Sequence, residues 1–282
     1  MLGLLWLIMN KKLKIILELA GFLLASLLVF CLLSLLSAPA GNRLKEEVQN
    51  QNNTLNYVAL GDSLTEGIGD ATGQGGFVPV LAKEVENQTT EKVELQNFGH
   101  AGDTSTQIYD KIQSRDIQAA IKDADFITLT VGGNDVMKVI RDNAAHLSKL
   151  KEKDFEQPAR NYQTELKKIF DTIRLNNPKA HVYVLGIYNP FYMNFPNITA
   201  LQTIINNWNI ATEETVKEEK STSFIAINDL LYKGIGGEKG ISENQSQIND
   251  LLYTADSFHP NNIGYQIMAD AVFKEYQVIN EK

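Results

Sequence analysis

From Thr54 onward, short apolar runs rich in β-branched and aromatic residues alternate with amphipathic helical patterns. The runs are Tyr57–Leu60, Val93–Phe98, Phe126–Val131, His181–Ile187 and Phe224–Ile227. Helical patterns lie between them. Phe77–Val85 is one; Tyr162–Leu175 places Leu166, Ile169, Phe170 and Ile173 on one face; Leu201–Lys220 is long and amphipathic; and Ile263–Tyr276 closes the chain. Strands this apolar, alternating with helices, belong to a parallel sheet covered on both faces. The expected fold class is α/β, a three-layer α/β/α sandwich on a five-stranded parallel sheet. Five runs are too few for an eight-stranded barrel. Open sheets of this kind carry their sites outside the carboxyl ends of the strands. The residues that follow each run are therefore where chemistry is expected.

Composition excludes several other classes. With 44% apolar and 21% charged residues, the chain can bury a core of its own and is not a disordered segment. Cys31 is the only cysteine, so no intramolecular disulfide and no cysteine-based zinc site can form. The four histidines are scattered, and no metal or organic cofactor is expected. The net charge is −8. Lys11, Lys12, Lys14, Arg43 and Lys45 outnumber Glu18, Glu46 and Glu47 in residues 1–53, so the acidic excess lies entirely beyond Asn53. An acidic globular part has no basic face for nucleic acid.

The N-terminal segment reads differently. Leu19 to Leu36 carries no charge and would span roughly 27 Å as a helix, near the thickness of a bilayer core. Residues 1–40 are expected to be a basic segment and membrane anchor, or a cleaved signal ending at Ala38-Pro39-Ala40. Cys31 reads as a membrane-facing apolar residue, not a lipidated one. Met9-Asn10-Lys11-Lys12 reads as a more natural start than Met1. The lysines ahead of the apolar run place that end inside and the rest of the chain outside the cytoplasmic membrane. Residues 41–53 read as a polar stalk, and residues 54–282 as one globular domain.

Four blocks follow the runs or sit near the C-terminus. Gly61-Asp62-Ser63-Leu64-Thr65 follows the first run; a Ser in such a turn can present its hydroxyl and its own N–H outward. Asn97-Phe98-Gly99-His100-Ala101-Gly102-Asp103-Thr104-Ser105 follows the second. Gly102 offers a backbone N–H, while Asp103 or Thr104 would also serve as a helix cap. Gly132-Gly133-Asn134-Asp135 follows the third, with a side-chain amide at Asn134 that would equally suit a cap. Asp256-Ser257-Phe258-His259-Pro260 puts an Asp three residues before a His, where it could fix the imidazole tautomer. Singly, each block has an ordinary structural reading. Together they supply a nucleophile, a base, an orienter and three oxyanion donors.

The combination resembles the SGNH superfamily of serine esterases and lipases, also called GDSL hydrolases. The resemblance extends from about Asn56 to Phe273. It implies a flavodoxin-like sandwich, Ser63 as nucleophile, His259 as general base and Asp256 as its orienter. It also implies an oxyanion hole made by the backbone N–H groups of Ser63 and Gly102 and the Asn134 side chain. The Gly-x-Ser-x-Gly elbow of the α/β-hydrolases is absent around Ser63. The expected activity is hydrolysis of carboxylic esters (lipid, cell-wall or small), with cell-wall O-acetyl removal or acyl transfer as the alternative use of the same site. Tyr188-Asn189-Pro190-Phe191-Tyr192-Met193-Asn194-Phe195-Pro196 should lie at the active face. Its aromatic residues would line an acyl pocket, rest on a membrane, or pack against neighbouring helices.

Overall fold

The computed structural model describes residues 54–143, 151–194, 199–235 and 249–280. The apolar run Leu19–Leu36 and the stalk lie outside the described residues. Among the described residues, no helix is long and apolar enough to cross a membrane.

The five expected strands are β1 (Thr54–Gly61), β2 (Lys92–Gly99), β3 (Phe126–Thr130), β4 (His181–Leu185) and β5 (Thr222–Ile225). They form one sheet in the order β2-β1-β3-β4-β5, with every neighbouring pair parallel. This is the flavodoxin-like order, and its direction reverses at β1. The register brings the carboxyl ends into a single row, Gly99, Gly61, Thr130, Leu185 and Ile225.

The helices of the described residues are α1 (Ser63–Glu66), α2 (Phe77–Thr89), α3 (Ser105–Lys111), α4 (Arg115–Asp123), α5 (Gly133–Asp142), α6 (Lys153–Asn176), α7 (Thr199–Lys217), α8 (Asn228–Leu231) and α9 (Asn262–Asn280). Right-handed crossovers put the β1-to-β2 connection on one face and the later connections on the other. The packing follows that rule. Val58, Leu60, Ile127, Leu129, Val182 and Val184 point to the face covered by α3, α4, α5, α6 and α7. The alternate residues Tyr57, Ala59, Phe126, Tyr183 and Leu185 point to α2 and α9. Both sets are buried, which is why the strands read as continuous apolar runs. On the α2/α9 face Tyr57 stacks on Phe126 with ring centroids 4.5 Å apart, and the Tyr57 hydroxyl meets Thr128 Oγ1 at 2.8 Å.

Three runs end sooner than the apolar pattern suggests, β3 by a single residue at Thr130. β4 stops at Leu185 because the next backbone groups turn to a side chain. Ile187 N donates to Asn209 Oδ1 and its carbonyl accepts from Asn209 Nδ2, each at 2.8 Å. β5 begins at Thr222 and stops at Ile225; Ile227 already precedes the first turn of α8. These short strands leave the loops after them free to reach across the row of strand ends.

Candidate active site

Ser63 sits at the first position of α1, immediately after β1. Asp62 caps the helix by accepting from Leu64 N at 3.1 Å, and Gly67 closes it in the left-handed conformation. Gly61 makes this turn possible: a Cβ there would lie 2.5 Å from the Thr130 carbonyl oxygen and 2.7 Å from Thr65 Oγ1. The buried Asp62 carboxylate also accepts from Thr130 Oγ1 at 2.8 Å. Burial pushes its pKa up, against these hydrogen bonds. The turn is thereby tied to the end of β3.

The loop before α9 brings the second pair. Ser63 Oγ lies 2.9 Å from His259 Nε2. His259 Nδ1 lies 2.6 Å from Asp256 Oδ2. The other oxygen of Asp256 accepts from the amides of Phe258 at 2.9 Å and His259 at 3.1 Å. Burial works to raise the Asp256 pKa, but the hydrogen bonds from His259 and the two amides outweigh it and hold the carboxyl below its ordinary value. Asp256 is therefore ionised wherever an imidazole titrates, which suits it to fix the tautomer that leaves Nε2 free to accept. Tyr188 supports the loop from β4's side by donating its hydroxyl to the Phe258 carbonyl at 2.5 Å.

Asn134 is the second residue of α5, and the cap position belongs to Gly132. Asn134 is therefore not the helix cap that its sequence context allowed. Its Nδ2 donates to the Asp103 carbonyl at 2.9 Å, which leaves the second amide hydrogen as a donor. Asn134 and Ser63 line one cavity with Thr130, Gly133, Ile187 and Phe258. Gly102 lies in the loop after β2, tied to Asn134 through its neighbour Asp103, but is not among the residues lining that cavity. Its φ is 86°, and a side chain there would face open space. Thr104 caps α3 with a reciprocal Gln107 contact, and Asp135 accepts from both Ser105 N at 2.9 Å and Ser105 Oγ at 2.6 Å. His100 is exposed and turned to Asp103 at 3.1 Å, so it takes no part in the Ser63 cluster.

Two supporting residues escape a reading of the four blocks. Glu66 accepts from Ala101 N at 2.5 Å and so holds the Gly102 loop beside α1. Asp70 organises the glycine-rich segment 67–76. Its carboxylate accepts from Thr72 N, Thr72 Oγ1, Gln74 N, Gly75 N and Gly76 N at 2.6–3.1 Å, and from Asn262 Nδ2 at 2.5 Å. Those bonds hold its pKa far below the ordinary carboxylate range although partial burial opposes them. The signal was present as Asp70-Ala71-Thr72, an Asp two residues before a Thr in a turn-rich stretch. Its target, the start of α9, is not adjacent in sequence.

The sheet order places Ser63 and Asn134 at the ends of β1 and β3, the two neighbouring strands between which the order reverses, the usual location of a site in such a sheet. A model of the GDSL-like Lipase/Acylhydrolase family matches residues 59–267. The chain belongs to this family. Among GDSL relatives, YpmR of Bacillus subtilis, an uncharacterized protein, is 31% identical over 77% of this chain and 79% of its own. The spore germination lipase LipC of Bacillus licheniformis is 29% identical over 77% of this chain and 94% of its own. The crystal structure of the lipase Lip_vut3 from a goat rumen metagenome is 26% identical, with a TM-score of 0.64 over 77% of this chain and 95% of that one. The GDSL chain thus has the five-stranded parallel fold of the SGNH hydrolases and belongs with their lipases and esterases.

Proposed function

We propose that Ser63, His259 and Asp256 form the catalytic triad of a carboxylic ester hydrolase. The observation that carries this reading is the continuous chain from Ser63 Oγ through the His259 ring to Asp256, at 2.9 and 2.6 Å. His259 Nε2 takes the Ser63 proton as Oγ bonds to the acyl carbon. The carbonyl oxygen becomes an oxyanion facing the Ser63 amide, the Gly102 amide and the free hydrogen of Asn134. The C–O bond to the alcohol breaks, and His259 hands its proton to the departing oxygen. Water then repeats the sequence on the acyl-serine, with His259 as base, and the acid leaves. The Ser63 amide suits its role because the first N–H of a helix has no partner within the helix.

The reaction takes place outside the cytoplasmic membrane, on lipids or other esters reachable there. The support is the uncharged run Leu19–Leu36 behind Lys11, Lys12 and Lys14, which reads as a single membrane-crossing segment with the bulk of the chain outside. The name of LipC, a lipase of spore germination, is in keeping with an ester substrate.

The decisive test is labelling by an alkyl fluorophosphonate followed by peptide mapping. The adduct is expected on Ser63, and Ser63→Ala is expected to abolish both labelling and ester turnover while keeping the fold. Turnover that survives in Ser63→Ala overturns the reading. A product analysis with a second alcohol present separates hydrolysis from acyl transfer.

A further inference from the structure

The Gly102 amide stands on an exposed tip. Ala101 and Gly102 are both exposed, and a side chain on Gly102 would meet nothing within 4 Å. Asp103 N donates to the His100 carbonyl at 3.3 Å and closes a turn over the two. The φ of 86° at Gly102 is what the third position of a type II turn requires. No packing fixes such a tip, so its hydrogen bonds must. At its base His100 N donates to the Gly61 carbonyl at 3.0 Å, and beyond it the Asp103 carbonyl accepts from Asn134 Nδ2 at 2.9 Å. On the tip itself there is one tie among the described residues, Ala101 N to Glu66 Oε2 at 2.5 Å. The Gly102 N–H meets no acceptor among the described residues and is left for a ligand.

Glu66 reaches the tip from α1, the helix whose first residue is Ser63. Residues three apart in a helix share a face. One turn therefore sets both amide donors, Ser63 by its own N–H and Gly102 through the Glu66 carboxylate. Two residues of the second sequence block seat that turn. Asn97 Nδ2 donates to the Thr65 carbonyl at 2.7 Å, while its Oδ1 accepts from Gly99 N at 2.8 Å. Gly99 lets α1 approach the end of β2, since a Cβ there would lie 2.5 Å from the Thr65 carbonyl carbon.

We propose that Glu66 is a positioning residue of the oxyanion hole, holding the Gly102 amide on the carbonyl oxygen through an acceptor atom and not through its charge. The proposal rests on the triad reading above. The tie to Ala101 needs only a lone pair on an oxygen. The charge has the wrong sign for the transition state, because it stands one residue from a donor that faces a forming oxyanion. Among the described residues no ion pair offsets it. A neutral amide oxygen in the same place would do the same work.

The test measures kcat and KM of the full-length protein on p-nitrophenyl butyrate across the pH range of imidazole titration, with inhibition by phenylboronic acid alongside. The boronate forms a tetrahedral adduct on Ser63 Oγ with an oxygen where the oxyanion would lie, so its affinity reads the hole without turnover. Glu66→Ala should lower kcat about ten- to hundredfold, leave KM within about twofold and weaken the boronate by a factor comparable to the loss in kcat. Glu66→Met, which keeps the length of the side chain but carries no oxygen, should match it. Glu66→Gln should recover most of both losses and keep the acid limb of the pH profile in place. Glu66→Gln as poor as Glu66→Ala, or with its acid limb moved, would make the charge the working part and overturn the proposal. Glu66→Ala and Glu66→Met with kcat and boronate affinity unchanged, and only a lowered melting temperature, would overturn it too. In those cases the unaltered protein still labels at Ser63 with a fluorophosphonate and turns over ester, so the triad reading stands. An unaltered protein that neither labels at Ser63 nor turns over ester overturns both.

Discussion

At the level of single residues, Asn134 separates the chemistry from the architecture. Its one visible bond, to the Asp103 carbonyl, is worth about 0.5–1.5 kcal/mol of stability. A donor to the developing oxyanion is worth far more, about 10²–10³ in kcat. Asn134→Ala should therefore lose turnover on that scale with KM nearly unchanged and a small drop in melting temperature. Asn134→Asp should be at least as severe, because it sets a carboxylate beside the forming negative charge. Steady-state kinetics and thermal unfolding of both variants check this; near-normal kcat with a lowered melting temperature would leave Asn134 as a tie between loops only. The identities of Ser63, Asn134, Asp256 and His259 were legible in sequence because each follows a strand or precedes a proline that stiffens its loop. Asn134's position inside its helix was not legible, since cap propensity ranks Asn above Gly and so favours Asn134 over Gly132.

At the level of elements, segment 67–76 and the seam between α2 and α9 do the work that the motifs leave undone. Gly69 backs directly onto His259: a Cβ there would come within 2.5 Å of the Pro260 carbonyl and 3.1 Å of His259 Cβ. Asp70 holds that segment against Asn262, three residues beyond His259. Asp70→Ala should loosen the wall behind the imidazole and lower kcat, by up to about a hundredfold, more than it raises KM. An unchanged kcat with a lowered melting point would mean that the segment only stabilises the fold. On the seam, Gln266 donates to Glu84 at 2.8 Å and to Asp270 at 2.7 Å, bringing two carboxyl groups together. Burial, with Asp270 beside it, pushes Glu84 up to about 7. The folded state then binds a proton that the unfolded chain releases at lower pH. Glu84's stabilising contribution is complete below about pH 4.5 and lost as pH rises through about 7. The fall in melting temperature from pH 5 to pH 8 should be smaller in Glu84→Gln than in the unaltered protein. The alternation of strands and helices was plain in the sequence, but these ties were not, since each joins residues far apart in the chain through backbone geometry that no periodicity records.

At the level of the whole molecule, the described residues from Thr54 onward build a core on both sheet faces, and the chain separates at that point into two units. Residues 54–282 expressed alone should fold with a single cooperative melting transition and turn over a soluble ester at the rate of the full chain. A fragment that stays unfolded would mean that the first 53 residues contribute to the core. Within the unit, the row of strand ends has one more consequence. On the triad reading proposed above, the two atoms that exchange a proton belong to residues separated by 196 positions, and only the finished sheet brings their loops together. Closing so long a loop costs entropy that local structure cannot repay. A chain that has its helices but not its last crossover is chemically silent, so turnover in this protein is an all-or-none gauge of whether the polypeptide has finished folding. An enzyme built this way hydrolyses nothing while its chain is still being made.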